Sequence, residues 1–449
     1  MTLSIDRKLS MAESSFFNNG CNNINVIAVN LSHKLDINVL QQAANEVMSI
    51  HPALRRTIIN KQGTIEFLSA SQSLIVEEYQ ASSWEKIVKD NLQDPFLEEG
   101  DYFWKLTQVV DNQRPESSTL LLFLHLSISD SVGGMILVND IIKNYHLLCS
   151  GESVVQKQRE VLPDLLTLQN NQRTYQDSLT HQNSSANQSS VTHQLLNTQL
   201  DYHNSQSGSD LKDNTEDNEY YNDFCYLLGK ESNLEKLKEI CSARQIDIDL
   251  ILFLTANWAI AKFEWQQQAS LQETIRINMS MDINERNNLL SPLGYNDIQS
   301  LTSTLPWKSH IQLSDTFWDS IETLNKLLQS RLPYTHDFEQ LQEHLLRNNQ
   351  PGWLTDAHFS SLVGFPFQKH YEQGTIEHIH LIRSHWAPLY GRYAFLANSV
   401  NGLSYTIVAQ KHDTDNAKMM IKYWRDLVEE WVISEEEFAL EDFVRTRVS

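Results

Sequence analysis

The sequence predicts an α/β (α+β) protein built from two lobes of similar size. The chain has 449 residues, of which 41% are hydrophobic and 20% charged, so it is long enough for two or three domains and can bury a sizeable core. Short apolar runs typical of strands alternate with amphipathic helical patterns in both halves of the sequence. A polar, low-complexity segment separates the two halves.

This segment spans about residues 168–218 and is rich in Asn, Gln, Ser, Thr and Asp. Such a composition cannot bury enough apolar surface to offset its ordering entropy. We therefore expect an extended or partly disordered crossover between an N-terminal lobe at 1–167 and a C-terminal lobe at 219–449. Two similar lobes would form a pseudo-symmetric pair with a cleft between them, which is a common place for ligands.

The first lobe combines buried strands with amphipathic helices. Its apolar runs predict strands at 24–31, 104–110 and 119–126. A helix is expected to begin after Asp36, a good N-cap, and to end at Pro52. Gly133 and Gly134 open a second amphipathic helix that continues through Leu148.

The second lobe repeats this mixture. Its predicted helices are 232–244, 248–264, 314–331, 335–347 and 414–433. Its predicted strands are 274–283, 298–305, 359–365, 376–383, 392–399 and 403–410. The helix at 248–264 is apolar nearly all round, which indicates that it is buried.

Charge and cysteine usage exclude several function classes. The chain has 57 acidic and 35 basic residues, a formal net charge of −22, and no basic run. A general binder of nucleic acid or of anionic membranes needs a basic surface, so both classes are excluded. The four cysteines lie far apart without a CxxC pair, which argues against a zinc ribbon and a disulfide framework.

Common targeting and catalytic signatures are also missing. The N-terminal stretch MTLSIDRKLSMAESSFF lacks the apolar run of a signal peptide, and no segment approaches about 18 uninterrupted apolar residues. We therefore expect a cytoplasmic protein without a membrane span. The GxxxxGK[ST], GxGxxG, HExxH and GxSxG motifs are absent, which removes the most common nucleotide, zinc-protease and serine-hydrolase interpretations.

Two histidine groups could suggest a metal or an acid–base pair. His378 and His380 lie two apart on a predicted strand and so point to one face, with His385 nearby. A half-exposed strand face explains this pattern better than zinc, which needs further ligands in place. Asp356 and His358 are an equally weak acid–base candidate. We predict no metal site.

The most informative segment is 121–134, LLFLHLSISDSVGG, in which a buried strand, a polar turn and a helix start follow one another. A histidine that leaves a strand with an aspartate a few residues later can be a general base with its supporting residue. A satisfied core histidine at a strand end is the other interpretation. The pattern alone leaves both open.

The segment resembles the HHxxxDG motif of the CoA-dependent acyltransferase superfamily with the chloramphenicol-acetyltransferase fold. That superfamily includes nonribosomal-peptide condensation domains, alcohol acetyltransferases and polyketide-associated acyltransferases. Other stretches follow the family's order, namely 7–10 (RKLS), 51–55 (HPALR), 243–247 (ARQID) and 280–283 (SMDI). The resemblance covers most of the chain apart from the crossover.

The resemblance implies two pseudo-symmetric chloramphenicol-acetyltransferase-like lobes around an interlobe tunnel. An acyl thioester, on CoA or on the phosphopantetheine arm of an acyl or peptidyl carrier protein, would enter from one face. A small alcohol or amine acceptor would enter from the other. In the family, the second motif histidine deprotonates the acceptor, and the motif aspartate pairs with an arginine that holds the loop. The resemblance implies no tightly bound cofactor, since the thioester is a substrate.

The match departs from the motif at the decisive position. Aligning Asp130 with the motif aspartate places His125 on the first histidine and Leu126 on the catalytic second one, with Ser131 on the motif glycine. Leucine cannot accept a proton. The family's arginine position holds Asn284, so Arg286 or Arg276 is the candidate partner of Asp130, whose role is expected to be structural.

Three interpretations of this degenerate motif follow. A shifted register could let His125 act as base, although a one-residue slip turns a side chain to the opposite face. Ser127 or Ser129 could instead position an acceptor that needs little base assistance. Alternatively, the chain is a catalytically inactive condensation-like module that docks a carrier protein or synthase. We predict an acyltransferase or condensation-type protein of secondary-metabolite or lipid biosynthesis, with the inactive module as the alternative.

Overall fold

The computed structural model describes residues 5–8, 23–61, 64–69, 74–93, 102–152, 159, 162–165, 167–170, 222–267, 273–286, 289, 297–332, 355–371, 374–384 and 392–446. Nearly all of the predicted crossover and the predicted helix at 335–347 lie outside these residues. The described chain forms two six-stranded sheets and one three-stranded sheet, with helices packed against them. This is the predicted α/β architecture.

The strands and helices have the following bounds. The strands are β1 (Ile5–Lys8), β2 (Ile24–Leu31), β3 (Arg56–Lys61), β4 (Thr64–Ser69), β5 (Glu77–Ala81), β6 (Trp104–Asp111), β7 (Ser118–His125), β8 (Asn222–Leu228), β9 (Thr274–Asn284), β10 (Thr302–Gln312), β11 (Ala357–Leu362), β12 (His370–Tyr371), β13 (Gly374–Arg383), β14 (Tyr393–Ser399) and β15 (Leu403–Gln410). The α-helices are α1 (Ile37–Ile50), α2 (Trp84–Gln93), α3 (Ser131–Cys149), α4 (Glu231–Arg244), α5 (Ile248–Gln267), α6 (Phe317–Arg331), α7 (Thr414–Asp426) and α8 (Leu440–Arg445).

The first six-stranded sheet has the order β12-β13-β2-β7-β6-β5, so β2 and β7 lie at its centre. β5 runs parallel to β6, whereas the other neighbouring strands are antiparallel. Every residue of β7 from Ser118 to His125 is buried. Burial on both faces explains why this strand reads as a continuous apolar run rather than an alternating one.

The second six-stranded sheet has the order β10-β9-β11-β14-β15-β8, with β11 parallel to both of its neighbours. α5 packs in the core of this lobe, and its residues from Leu250 to Phe263 are all buried, as its apolar pattern predicts. β10 is an edge strand, which is where Pro306 can be accommodated, because proline cannot donate a ladder hydrogen bond.

Some boundaries differ from the sequence prediction. The strand expected at 298–305 begins at Thr302, because residues 297–301 are used to contact the motif loop described below. α6 begins at Phe317 rather than at 314. The last predicted helix ends its regular α-helical part at Asp426 and continues as a π-helical turn and a 3-10 turn up to Ser434.

One strand belongs to a different sheet than predicted. The strand expected at 376–383 in the second lobe is β13, which pairs with β2 of the first sheet, for example Leu381 with Ile27. The assignment was wrong because an apolar strand pattern identifies a strand without identifying its partner. The C-terminal half of the chain thus completes the first sheet. The lobe boundaries at 1–167 and 219–449 remain a prediction.

α1 shows how local sequence sets an element. The side chain of Asp36 accepts hydrogen bonds from the backbone N–H groups of Asn38 and Val39, and the helix ends before Pro52, as predicted. Its apolar face is buried in the first core. Among the described residues, no helix is long and apolar enough to cross a membrane.

Candidate functional site

The motif loop is the segment 125–134, which leaves β7 and enters α3. Asp130 is the N-cap of α3, and its Oδ1 accepts the backbone N–H of Gly133 at 2.8 Å. A Cβ atom on Gly133 would collide with the carbonyl of Ile298 and with the Ser129 hydroxyl. The loop therefore lies directly against the segment before β10, and glycine at 133 permits this close approach.

The carboxylate of Asp130 is buried and fully engaged. Its Oδ2 accepts from Arg286 Nη1 at 2.8 Å, from the Leu301 backbone N at 2.8 Å and from Thr302 Oγ1 at 2.9 Å. Its Oδ1 accepts from Arg286 Nη2 at 2.9 Å as well as from Gly133. Such a bidentate, multiply bonded carboxylate holds the motif loop against the second sheet.

Arg286 is fully buried and continues this network. Its guanidinium also donates to the carbonyl groups of Asp297 and Gln299, the latter at 2.7 Å, and to Asn284 Oδ1 at 3.3 Å. It thereby ties the loop of the first sheet to the end of β9 in the second. Of the two arginine candidates, Arg286 contacts Asp130, whereas Arg276 is exposed on β9 opposite His310.

His125 lies at the last position of β7 with 1% of its surface exposed. Its Nδ1 accepts from the Ser127 hydroxyl at 2.7 Å and from the Ser127 backbone N–H at 3.2 Å, so the proton of the neutral ring belongs on Nε2. Burial disfavours the charged imidazolium and lowers the pKa of His125 to about 3. The ring is therefore neutral at pH 7 and a weak base.

The remaining loop residues offer no replacement base. Leu126 is 3% exposed, and its backbone N–H donates to the carbonyl of Asn23. Ser129 is buried and donates its hydroxyl proton to the carbonyl of Asp130 at 3.1 Å. Ser131 is the first residue of α3 and is half-buried. The hydroxyl groups of Ser127 and Ser129 are thus both engaged within the loop.

A second buried polar cluster joins the two sheets, and sequence reasoning did not find it. His358 Nε2 lies 3.2 Å from Asp282 Oδ2, and its Nδ1 lies 2.8 Å from Ser280 Oγ. Arg383, from the first sheet, donates to Asp282 Oδ2 at 3.3 Å. Burial alone would raise the pKa of Asp282, but His358, Arg383 and the Ser360 hydroxyl outweigh it and lower the pKa to about 2.

The cluster unites residues from three strands, which explains why the sequence hides it. Its local signals are the i, i+2 spacings of Ser280 with Asp282 and of His358 with Ser360, each of which puts two side chains on one strand face. Asp356 and His358, the weak acid–base candidate from the sequence, do not pair with each other. Asp356 Oδ2 instead accepts the backbone N–H of Asn278 at 2.7 Å.

Of the histidines considered for metal, His380 has other partners. His380 Nε2 lies 3.0 Å from Asn30 Oδ1 and its Nδ1 lies 3.2 Å from Ser404 Oγ, so both ring nitrogens are engaged. His385 lies outside the described residues. Within the described ranges, no three His, Cys, Asp or Glu side chains come together in a group that could hold a metal ion.

Comparison with known proteins identifies the family. A family model described as Condensation domain matches residues 9–377. The chain belongs to the condensation-domain family. The superfamily predicted from the degenerate motif is thus confirmed, and so is the paired-lobe α/β fold. No curated protein matches the sequence.

Solved structures of two condensation domains and of a polyketide synthase associated protein share this fold over nearly their whole length. The first condensation domain of the CDA synthetase is 10% identical with a TM-score of 0.69, and 98% of each chain is covered. Polyketide synthase associated protein 5 from Mycobacterium tuberculosis is 16% identical with a TM-score of 0.65, covering 96% of this chain and 99% of that one. The starter condensation domain of rhizomide synthetase, solved with C8-CoA, is 12% identical with a TM-score of 0.63, and the match covers 97% of this chain and 96% of that one. These identities establish the fold alone.

Proposed function

We propose that this condensation-domain protein binds an acyl group carried as a thioester, either on CoA or on the phosphopantetheine arm of an acyl or peptidyl carrier protein. In this proposal no imidazole of the motif loop acts as a general base. It would act as a condensation-type partner of a carrier protein or synthase in secondary-metabolite or lipid biosynthesis. The observation that carries the proposal is Leu126 at the position of the motif's second histidine, beside a His125 that is buried and engaged.

The chemistry at the loop supports the loss of base catalysis. An alcohol or amine acceptor has to lose a proton when it attacks a thioester, and a positioned general base contributes about 10²–10⁴ in rate. Leu126 cannot take this proton. The pKa of His125, lowered by burial to about 3, makes it a poor proton acceptor at neutral pH, and its Nδ1 already accepts two hydrogen bonds from Ser127.

The intact scaffold of the loop supports a retained binding role. Asp130, Arg286 and Gly133 hold the loop against the second sheet through buried, charge-assisted hydrogen bonds. A protein of this family solved with C8-CoA shares the fold over 97% of this chain, which makes a thioester on CoA a reasonable first ligand to test.

Calorimetric titration tests the binding part of the proposal. Octanoyl-CoA and octanoyl-pantetheine should bind more tightly than CoA and pantetheine, since the acyl chain buries apolar surface at about 0.8 kcal/mol per CH₂ group. Free thiol should not be released above the uncatalysed rate when an amine acceptor is present. Absence of binding by either thioester would contradict the proposal.

A second candidate function is acyl transfer to an amine acceptor that needs little base assistance. The location of the Ser127 and Ser129 hydroxyl groups inside the motif loop favours it, because either could orient an acceptor. Such transfer would release thiol at a rate that survives His125→Ala and falls at least tenfold in a variant with both serines changed to alanine.

A further inference from the structure

A cavity of about 420 Å³ lies between the first sheet, the N-terminal end of α2 and the edge strand β8 of the second sheet. This volume is within the range that holds a small organic molecule. The side chains that give the cavity its chemistry are Trp84, Glu85, Tyr226, Glu377, His378 and His380. None of the motif loop residues lines it.

The strand register separates this cavity from His125. Asn30 and Thr119, which are paired across β2 and β7, line the cavity, whereas His125 pairs with Ile24 at the other end of the same face. His380, which lines the cavity, pairs with Ala28, and one row of buried side chains, made of Val26, Phe123 and Ile382, lies between it and His125. The two steps of two residues from Ala28 to Ile24 span about 13 Å along the strand. The cavity is therefore a separate site.

An aromatic wall forms one side of the cavity. The ring of Trp84 stacks on those of His380 and Tyr226, with centroid distances of 5.3 Å and 5.7 Å and interplanar angles of 23° and 28°. The ring centroids of Tyr226 and His380 are 4.2 Å apart. Aromatic faces carry a negative quadrupole and attract cations.

The charges around this wall are negative. Glu85 accepts hydrogen bonds from the Tyr226 hydroxyl at 2.8 Å and from Ser83 Oγ at 2.6 Å. In the described part of the chain, no basic side chain lies within ion-pair distance of Glu85 or Glu377. Arg114, a basic residue that also lines the cavity, pairs with Asp111, another lining residue, at 3.2 Å.

The two histidines add no compensating charge. Burial lowers the pKa of His378, and burial together with His378 lowers the pKa of His380 to about 3. Both rings are therefore neutral at pH 7, so they can accept or donate hydrogen bonds without repelling a cation. This combination of aromatic faces, carboxylates and neutral imidazoles favours a small cationic ligand.

We propose that this cavity binds a small organic cation, a primary or quaternary amine, with its charge between the aromatic wall and the carboxylates of Glu85 and Glu377. Cation–π contacts with Trp and Tyr faces and nearby carboxylates are the interactions that distinguish an amine from a neutral molecule of the same shape. The site is independent of the thioester-binding role.

Matched pairs of ligands test the charge requirement by calorimetric titration of the full chain. Tyramine should bind at least tenfold more tightly than tyrosol, its neutral analogue, or choline should do so relative to 3,3-dimethyl-1-butanol. Absence of binding by both cations, or equal binding within both pairs, would overturn the proposal.

Variants then locate the site. Changing Glu85 and Glu377 together to glutamine should weaken binding of the cation at least tenfold, whereas Glu322→Gln, at an exposed position on α6, should leave it unchanged. His125→Ala should also leave it unchanged, which separates this site from the motif loop. A cation affinity that survives the double variant, with the melting temperature preserved, would overturn the assignment.

Discussion

Asp130 caps α3 and at the same time neutralises a fully buried arginine. Each of its hydrogen bonds is charge-assisted or comes from a buried donor, so the carboxylate is a structural centre of the motif loop. A buried pair of this kind is costly to break, because removing one partner leaves the other charge without compensation.

Asp130→Asn should therefore lower the free energy of unfolding by about 3–5 kcal/mol, since Arg286 would remain buried without its counter-charge. Chemical denaturation measures this change. The matched control is Asp415→Asn, whose carboxylate is exposed and pairs with Lys418, and it should change stability by less than about 1 kcal/mol. Equal effects of the two substitutions would contradict the structural role of Asp130.

The buried histidines predict acid sensitivity. Burial, with His378 nearby, lowers the pKa of His380 to about 3 in the folded chain, against about 6.5 unfolded, so only the unfolded chain takes up this proton between pH 6.5 and 3. Stability falls as pH falls through this window. Between pH 7 and pH 5, the free energy of unfolding measured in urea should fall by about 2 kcal/mol less in His380→Gln than in the wild type. A His380→Gln variant with the same pH dependence as the wild type would contradict this assignment.

Restoring the motif residue tests the role of position 126. Leu126→His combined with Ser131→Gly should raise thiol release from octanoyl-CoA by at least tenfold if the rest of the site accepts both substrates, since a general base contributes about 10²–10⁴. A buried imidazole without a partner costs about 1–3 kcal/mol, so a melting curve has to show that the variant is folded. A folded variant without any gain would indicate that the acceptor path is also lost.

At the residue scale, the sequence identified His125, Leu126 and Asp130 because they are contiguous and follow a strand. It left Arg286 and Arg276 open, since Arg276 lies near the start of β9 and Arg286 just past its end, and only the path of the chain after β9 decides between them. The cluster around Asp282 was missed because Arg383 comes from another sheet, about 100 residues later in the chain.

The start of α3 is the element on which the site depends. Gly133 and Gly134 follow one another, but their surroundings differ. A Cβ at 133 would meet the backbone carbonyl of Ile298, whereas a Cβ at 134 would meet the flexible end of the Ile27 side chain at 2.6 Å.

Gly133→Ala should therefore destabilise the protein by about 1–3 kcal/mol, because a backbone segment has to move to admit the methyl group. Gly134→Ala should cost clearly less, because a side-chain terminus can rotate and alanine favours the helix by about 1 kcal/mol. Differential scanning calorimetry of the two variants compares them directly. A greater loss for Gly134→Ala would contradict the close approach of the loop to the segment before β10.

Element types were predictable where apolar periodicity was strong, as in β7 and α5. Element boundaries and strand partners were less predictable. The beginning of β10 depends on residues 297–301 being used to hold Arg286 and Asp130. The sheet of β13 depends on strand pairing between residues about 350 positions apart, such as Asn30 and His378. Neither depends on local sequence.

Ion pairs near the ends of β9 and β13 connect the two lobes, in addition to apolar contacts of the first core with side chains of β14 and β15. The ion pair of Asp130 with Arg286 and that of Arg383 with Asp282 both connect the first sheet to the second. β13 also links the two sheets through the backbone, because the chain passes from β11 of the second sheet into the first sheet and then returns to β14.

A double-mutant cycle tests the second connection. Asp282→Asn and Arg383→Met should each destabilise the protein, and together should cost less than the sum by about 0.5–3 kcal/mol, as expected for residues in contact. The contribution of Asp282 should be present above about pH 4 and disappear as pH falls through its lowered pKa of about 2. Strict additivity in urea unfolding would contradict the contact between the sheets.

The most direct test of the central claim, that no imidazole base acts at the motif loop, is the rate of thiol release from octanoyl-CoA with an amine acceptor. The wild type and His125→Ala should give the same rate, while both bind octanoyl-CoA with similar affinity. Enzyme-dependent release that His125→Ala abolishes, in a variant that still folds and binds the thioester, would contradict the account.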